Sequence, residues 1–212
     1  MRRTSINRSM DTAKILPDVP MTSSVLASYL ADFKAPTQKV AEMEKAGEIV
    51  RLKRGLFVKS ATNLNLFLIA NHIYSPSYVS RESALRYYGL IPEHVFATTS
   101  VSINRSRTFE NSLGLFSYDL LPLDYFRKGI ALHEENGVCW QMATPEKALA
   151  DLIVLSAGIR LRYRSETVSY LEDFLRVDMD EFVKLKPERF EEYAEVSKKS
   201  QALLNIAKLL RQ

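Results

Sequence analysis

The fold of the N-terminal part is decided by residues 22–59, TSSVLASYLADFKAPTQKVAEMEKAGEIVRLKRGLFVK. Thr22 or Ser23 can accept hydrogen bonds from the free N–H groups of a first helix, which we expect to run to about Phe33. Four apolar residues of this helix recur at helical spacing and predict one buried stripe. They are Val25, Leu26, Tyr29 and Leu30.

A second helix is predicted to begin at Pro36, because proline is tolerated in the first turn of a helix but not in its interior. It should end at Gly47, since a glycine in the left-handed conformation commonly follows a helix. We expect Val40, Met43 and Ala46 to face inward. The outward face then carries Thr37, Gln38, Lys39, Glu42 and Lys45.

Residues 48–59 alternate in polarity and predict a β-hairpin with its turn at Arg54-Gly55. Ile49, Leu52 and Phe57 are expected to be buried, while Arg51, Lys53, Arg54 and Lys59 point outward or lie at the tip. A helix, a turn, a second helix and a basic hairpin follow one another in a winged helix-turn-helix. Such a module reads DNA.

Known helix-turn-helix proteins place the first residues of the second helix against base edges. Glutamine can pair bidentately with adenine, and lysine reaches guanine or phosphate. Cations of a hairpin would lie on the phosphate backbone and add affinity rather than sequence choice. The predicted DNA-binding residues are Thr37, Gln38, Lys39, Glu42, Arg51, Lys53 and Arg54. The alternative is an ordinary small helical domain with a solvated basic hairpin.

The charge distribution favours the DNA-binding interpretation. Residues 1–60 hold 11 Lys/Arg and 6 Asp/Glu, a net charge of +5, whereas the remaining residues hold 18 and 19, a net charge of −1. A basic segment joined to a nearly neutral partner is typical of nucleic-acid-binding proteins. Within the first segment, Ile6, Met10 and Ala13 fit the first helix of a three-helix core. Arg2 and Arg3 could form a DNA-contacting arm or a solvated terminus.

The single cysteine, Cys139, cannot form an internal disulfide, which fits a reducing compartment. No apolar run approaches the roughly 20 residues of a membrane span. We therefore expect a cytoplasmic protein with no membrane partner.

The remainder of the chain predicts a second domain, so that residues 1–61 and 62–212 form separate units. Helix and strand signals alternate there, which places the whole chain in the α+β class, with a mixed α/β C-terminal domain and a helical tail. The expected elements are helices at 64–72, 80–88 and from Thr144-Pro145-Glu146, strands at 96–103 and 115–121, a hairpin at 130–142, and helices from Glu166 to the end. Ser80 should cap the helix at 80–88, and we expect Leu85 and Leu90 to be buried.

Two segments of this second part resemble the AbiEi-type antitoxins of type IV toxin–antitoxin systems. YVSRESALRYYGLIPE, residues 78–93, is similar to the family's tyrosine-x-serine-x-x-serine-alanine-leucine, glycine-leucine motif. ATPEKALADLI, residues 143–153, resembles the later proline-glutamate helix with its aspartate, here Asp151. Lys147 stands where the family often has arginine. It keeps the charge but lacks the planar fork of arginine, which calls a specific ion pair there into question.

The resemblance covers roughly residues 20–160 and implies a regulator with two tasks. The winged helix would repress the protein's own operon at an inverted repeat, with two copies on the DNA. The C-terminal domain would counter a nucleotidyltransferase-like toxin, with no stable complex required. No cofactor, metal or catalytic residue is implied, so we expect a protein that is not an enzyme.

Two other functions remain open. One is a winged-helix transcription factor whose C-terminal domain senses a ligand or drives dimerisation. The other is a metal-dependent nuclease, for which acids and one lysine would have to converge. Its candidates are Asp119, Asp124, Glu134, Glu135, Glu146 and Lys147. Tyr87 and Tyr88 could stack bases beside Arg81 and Arg86, although packing in a core or interface is the simpler interpretation.

Overall fold

The computed structural model describes residues 16–92 and 96–212, and it is a mixed α+β structure. The predicted first helix around Ile6, Met10 and Ala13, and the arm of Arg2 and Arg3, lie outside the described residues. The strands are β1 (Met21–Thr22), β2 (Ile49–Lys53), β3 (Leu56–Lys59), β4 (Ser77–Val79), β5 (Ala97–Ser102), β6 (Arg107–Asn111), β7 (Gly114–Leu120), β8 (Ile130–Glu135) and β9 (Val138–Ala143). The helices are α1 (Ser23–Tyr29), α2 (Pro36–Lys45), α3 (Leu66–Ile73), α4 (Arg81–Tyr87), α5 (Leu123–Phe126), α6 (Pro145–Leu155), α7 (Arg164–Ser169), α8 (Met179–Phe182), α9 (Pro187–Ala194) and α10 (Ser200–Leu210), with a π-helical turn at Tyr170–Phe174.

The N-terminal segment folds around a small antiparallel sheet in the order β1–β3–β2. Thr22 caps α1 as predicted, since its hydroxyl accepts a hydrogen bond from the N–H of Val25. Helices α1 and α2 cover one face of the sheet and enclose a cluster of apolar side chains. The buried members of this cluster are Leu16, Met21, Leu26, Leu30, Met43, Ile49 and Phe57.

The buried stripe predicted for the first helix is only half right. Leu26 and Leu30 are buried, but Val25 and Tyr29 are 44% and 40% exposed. Helix α1 is short and meets the core along a narrow edge, so only positions four residues apart point into it. The helix also ends at Tyr29 rather than near Phe33.

Helix α2 begins at Pro36 and ends next to Gly47, as the sequence predicted. Gly47 has a φ of +72°, the left-handed conformation that glycine adopts without strain. Met43 is buried and Val40 is partly buried, whereas Ala46 is exposed, contrary to expectation. The remaining face of the helix is exposed to solvent.

The larger part of the chain is organised by a six-stranded sheet in the order β6–β7–β5–β4–β9–β8. Strands β5 and β7 pair in parallel, as do β4 and β9, and the other neighbours are antiparallel. The β8–β9 hairpin turns at Asn136-Gly137, where both residues have positive φ. This turn, the strand β5 and the helix α6 capped by Thr144 agree with the sequence prediction.

Helices α3, α4 and α6 pack on the central strands and complete the main core. Leu85 and Leu90, predicted to be buried, are 0% and 1% exposed. Helix α4 follows Ser80, but the Ser80 hydroxyl does not cap it and donates instead to Asp151. The predicted capping role of Ser80 is therefore wrong, because its side chain is turned toward the Asp151 carboxylate, to which it donates a charge-assisted hydrogen bond.

The hairpin β2–β3 contacts both parts of the chain. Its Leu52, Leu56 and Val58 belong to the main core, while Phe57 points into the N-terminal cluster. Asn111 on β6 also donates its side-chain amide to the backbone oxygen of Leu52 at 3.1 Å. The division at residues 61 and 62 stays a prediction.

Among the described residues, no helix has the length and apolar character needed to cross a membrane.

Candidate nucleic-acid interface

The start of α2 presents polar side chains and free backbone donors to solvent. Thr37 and Gln38 are exposed, and the residue before the helix, Ala35, offers no side-chain oxygen as a cap. The N–H groups of the first turn therefore remain available to a ligand, and the helix dipole favours a negative charge there. Pro36 fixes the entry of the chain into the helix without needing a hydrogen bond.

Lys39 is not on the exposed face, which corrects its prediction. Only 11% of its side chain is exposed, because the ammonium lies 5.5 Å from the centre of the Phe33 ring. Its Nζ atom is also 3.9 Å from Oε2 of Glu42. Gln38 donates to the other carboxylate oxygen of Glu42 at 3.4 Å. Glu42 therefore holds two of the predicted DNA-binding side chains along the helix surface.

The hairpin cation Arg51 is half exposed but already paired. Its Nε and Nη2 atoms donate to the two carboxylate oxygens of Glu44 at 2.9 and 2.5 Å. This bidentate contact raises the pKa of Arg51, first through the hydrogen bonds and then through the charge of Glu44. The guanidinium also lies over the ring of Phe57. A phosphate would have to compete with Glu44 for this side chain.

Lys53 was predicted to point outward, and this is wrong. Its Nζ atom donates to the backbone oxygen of Ile73 at 2.6 Å, at the C-terminal end of α3. An ammonium in this position satisfies a carbonyl that the helix leaves without a partner. Lys53 thus joins the hairpin to the larger part of the fold.

Arg54 lies at the position that the sequence predicted for it. It lies at the hairpin turn beside Gly55, whose φ of +80° allows the tight reversal. Within residues 16–60, the exposed cations that form no ion pair with a described residue are Lys34, Lys45 and Arg54. Residues 16–60 hold seven Lys/Arg and five Asp/Glu, a net charge of +2. The other +3 of the basic excess belongs to residues 1–15.

A second charged centre, whose burial the sequence did not reveal, lies inside the larger part of the fold. Lys147 and Asp151 lie one turn apart on α6, both side chains are fully buried, and Nζ is 2.5 Å from Oδ1. The other carboxylate oxygen accepts from the hydroxyls of Ser80 at 2.6 Å and Tyr78 at 3.1 Å. The ion pair that the lysine substitution called into question is therefore present.

Aromatic rings complete the surroundings of the Lys147 ammonium. Its Nζ atom is 3.4 Å from the ring centre of Tyr125, 5.5 Å from that of Tyr193 and 5.9 Å from that of Tyr78. Burial lowers the pKa of Lys147, and the charge of Asp151 opposes that shift. Burial also raises the pKa of Tyr78 and Tyr125 well above 10, with the nearby carboxylate adding to the effect.

This buried centre joins distant segments rather than offering a binding site. Residues near positions 78, 125, 151 and 193 meet there, and solvent does not reach the ion pair. Gly129 lies so close that a side chain at its position would collide with the Tyr193 hydroxyl and with Cβ of Lys147. The centre therefore fixes how α6 packs on β4 and α9.

The acids considered for a nuclease do not meet in one place. Asp119 pairs with Arg81, Asp124 pairs with Arg127, and Glu146 accepts from the backbone N–H of Lys186 at 3.2 Å. Glu134 and Glu135 are exposed on the edge strand β8. In the described ranges, no three His, Cys, Asp or Glu side chains are grouped closely enough to hold a metal ion.

Tyr87 and Tyr88 belong to an aromatic cluster that also contains Phe67, His133 and Trp140. The ring of Tyr87 meets Tyr88, His133 and Phe67 edge-on at 5.3, 5.3 and 5.8 Å. The Tyr88 hydroxyl lies 2.8 Å from Nε2 of His133 and donates to the backbone oxygen of residue 143. Since these rings contact one another, their arrangement favours packing over base stacking.

The search of protein-family models gave no match for this chain, and no curated protein matches it either.

Proposed function

We propose that this protein is a DNA-binding transcriptional repressor whose N-terminal segment is a winged helix-turn-helix. The observation that carries the proposal is the start of α2. Thr37 and Gln38 project from an uncapped helix N-terminus, with Arg54 on the neighbouring hairpin. A helix of this kind can enter the major groove, while the hairpin contacts phosphates.

The interface on one copy is small, so we propose that two copies bind an inverted repeat. Of seven predicted contact residues, Lys53 is tied to α3 and Lys39 is largely buried. Thr37, Gln38 and Arg54 would make the first contacts, and Arg51 would exchange Glu44 for a phosphate. Few contacts per copy mean weak binding by a monomer, and two half-sites would supply the missing affinity.

We further propose that the protein is the antitoxin of a toxin–antitoxin pair of the AbiEi type. The two segments on which this resemblance rests, residues 78–93 and 143–153, begin 65 residues apart. Their polar residues meet in one hydrogen-bonded centre, where Tyr78 and Ser80 donate to Asp151. Because each motif supplies part of the same buried centre, the two motifs would be expected to occur together in one protein. The partner would be a nucleotidyltransferase-like toxin.

Two assays test the two halves of the proposal separately. A reporter driven by the promoter of the chain's own operon should be repressed by the wild type and released by the double variant Thr37→Ala/Gln38→Ala. Arg105→Ala, an exposed change away from α2, should leave repression intact. Equal repression by all three proteins would refute the assignment of α2.

Growth of the cells that express both proteins tests the proposed antitoxin function. Expression of the neighbouring nucleotidyltransferase-like gene should stop growth, and co-expression of this protein should restore it. The Thr37→Ala/Gln38→Ala variant should restore growth as well, because the proposed antitoxin task does not use α2. An absence of rescue by the wild type would remove the antitoxin function and leave the repressor function standing.

A further inference from the structure

An arginine-rich loop before α7 is held in an unusual backbone conformation. Leu161 has a φ of +46° although it is a branched residue, and its side chain is 5% exposed. Such a conformation persists only where the surroundings impose it. Asn205 on α10 donates to the backbone oxygens of Leu161 and Arg162 at 2.7 and 2.9 Å. Glu166 accepts from the N–H groups of Arg162 and Tyr163 at 2.7 and 3.3 Å.

The anchored loop projects three arginines into solvent. Leu161 points into the core, so its neighbours Arg160 and Arg162 point outward, and Arg164 follows at the start of α7. All three are exposed, and none forms an ion pair with any residue that the structure describes. Other exposed arginines, such as Arg51, Arg127 and Arg211, do form ion pairs. The nearest acid in sequence, Glu166, is occupied by the backbone.

Two of these arginines, Arg160 and Arg162, border a pair of adjoining cavities, and Arg160 lines both of them. The first, of about 600 Å³, is lined by Arg160, Arg162, Lys198 and Lys199 and contains no carboxylate among its lining residues. Lys199 is held by the backbone oxygens of Ile153 and Ser156, which leaves the other three cations free to meet a ligand. A concave surface with this lining attracts an anion with several charges.

The second cavity, of about 670 Å³, adds an exposed aromatic surface. Phe174 stacks on Tyr170 with ring centres 5.4 Å apart and an angle of 15° between the planes. Tyr170 is buried beneath it, whereas Phe174 is 70% exposed and its outer face meets solvent. The two rings lie at the ends of the π-helical turn, a feature that is frequent at functional sites. Glu166 and Asp173 also line this cavity, but one carboxylate oxygen of each already accepts hydrogen bonds, from the backbone before α7 and from the Ser169 hydroxyl at 2.7 Å.

We propose that the two cavities together bind single-stranded nucleic acid. Phosphates would occupy the cationic cavity beside Arg160, Arg162 and Lys198, and an unstacked base would lie on the outer face of Phe174. Proteins that bind single strands combine a basic groove with aromatic side chains in this way. A duplex keeps its bases stacked and offers none to Phe174. An acidic protein would use the cations but leave the exposed ring without a partner. This site is separate from α2 and independent of the proposed repressor function.

The test uses the full chain and four fluorescent probes. Fluorescence anisotropy would follow binding of 15-nucleotide oligouridylate, 15-nucleotide oligothymidylate, a 15-base-pair duplex and an acidic 15-residue peptide. The variants are Arg160→Glu/Arg162→Glu and Phe174→Ala. The control for the arginine variant is Arg105→Glu/Lys208→Glu, which makes the same change of charge at exposed positions elsewhere. The control for Phe174→Ala is Leu132→Ala, which truncates an aliphatic side chain that is 71% exposed. Thr37→Ala/Gln38→Ala shows whether α2 contributes.

We expect the wild type to bind both single strands. Arg160→Glu/Arg162→Glu should weaken binding at least about tenfold. It should also reduce the steepness with which log affinity falls with log salt concentration by about 1.4, because two phosphate contacts are lost and each contributes about 0.7 on a single strand. Phe174→Ala should weaken it about 5- to 150-fold, the range for loss of one stacked base. The controls and the α2 variant should stay within about twofold of the wild type. A preference for one of the two single strands would identify it as RNA or DNA.

Three results would overturn the proposal. The first is binding of the duplex or the acidic peptide in preference to both single strands. The second is an equal loss of binding in Arg105→Glu/Lys208→Glu, which would indicate a general charge effect. The third is unchanged binding in Phe174→Ala, which would remove the base-stacking surface. Circular dichroism and thermal melts of each variant would ensure that a loss of binding is not a loss of fold.

Discussion

Helices α2 and α6 begin with the same local signal and use their charges in opposite ways. Each has proline at its first position, at Pro36 and Pro145. Helix α2 has no side-chain cap and exposes Thr37, Gln38 and Glu42. Helix α6 is capped by Thr144 and buries Lys147 and Asp151 completely. A proline at the first position therefore begins both a surface helix and a core helix.

The difference teaches where a binding function can lie. Charges on α6 are compensated by Ser80, Tyr78 and the surrounding rings, so they contribute to the fold. On α2, Glu44 pairs tightly with Arg51, but Glu42 contacts Gln38 and Lys39 only loosely, at 3.4 and 3.9 Å, so a ligand can replace these two contacts. Exposure and strength of pairing separate the two roles, and residue type does not.

The largest expected effect is on the buried pair. Asp151→Ala would leave the Lys147 ammonium unpaired and two hydroxyls without an acceptor. We expect a loss of about 3–5 kcal/mol in the free energy of unfolding, measured by urea denaturation. Glu44→Ala on α2 is the matched control, because it breaks an exposed pair and should change stability by less than about 1 kcal/mol. Similar losses in both variants would end the contrast between the two helices.

The apolar cores offer a second comparison. Leu85→Ala removes a fully buried side chain from α4 and should lower the free energy of unfolding by about 2–5 kcal/mol, through lost burial and the cavity left behind. Val25→Ala truncates a residue of α1 that is 44% exposed, and we expect a change within about 0.5 kcal/mol. Thermal and urea melts would measure both. A large effect of Val25→Ala would indicate that Val25 is buried, as the sequence predicted.

The response to alkaline pH depends on the buried tyrosines. Burial raises the pKa of six of the described tyrosines above 10. The folded protein keeps these protons where the unfolded chain loses them, so stability should fall as pH rises above 10. Burial lowers the pKa of Lys147 and Lys199, so below the usual lysine pKa of about 10.5 these two residues make stability rise with pH. The six tyrosines outnumber the two lysines, so we expect the fall in stability to dominate.

One tyrosine gives this response a defined window. Burial is the main cause that raises the pKa of Tyr193 to about 12. Tyr193→Phe should therefore reduce the loss of stability between pH 10 and pH 12, measured by urea denaturation at several pH values. Tyr163→Phe, at a position 66% exposed, is the matched control. Identical curves for both variants would show that burial at position 193 does not set the response.

The smallest expected effect concerns the hairpin. Arg54→Ala should weaken binding to every duplex and lower the salt slope by about 0.9, the value for one phosphate contact. Lys53→Ala should leave that slope unchanged and lower thermal stability instead, because Lys53 is bonded to the backbone of Ile73. Anisotropy titrations at several salt concentrations would separate the two. A reduced slope for Lys53→Ala would mean that its side chain reaches DNA after all.

The sequence predicted helices and hairpins well where proline, glycine or a capping residue marks their ends. Pro36 and Gly47 delimit α2, Thr144 and Pro145 begin α6, and Asn136-Gly137 makes the β8–β9 turn. Strands β4 and β6 were missed, because one has only three residues and the other, RTFEN, is a polar edge strand without alternation. Periodicity also cannot tell how wide the buried face of a helix is, and this produced the wrong expectation for Val25 and Tyr29.

The predicted interface was affected by contacts that a linear sequence does not show. Lys53 finds its partner on α3, 20 residues away, and Lys39 folds back onto Phe33. The spacing of Lys147 and Asp151 was visible as four residues on one helix. Their burial was not visible, because it depends on Tyr78, Tyr125 and Tyr193 from other segments.

The most direct test of the central claim is sequence-specific DNA binding through α2. A duplex selected from a random library by the wild type should bind Gln38→Ala about 1–3 kcal/mol more weakly, with relaxed choice at one base pair. Gln141→Ala, an exposed glutamine on β9, should bind like the wild type. If no duplex is selected, or if Gln38→Ala keeps the affinity and sequence choice of the wild type, α2 does not read DNA.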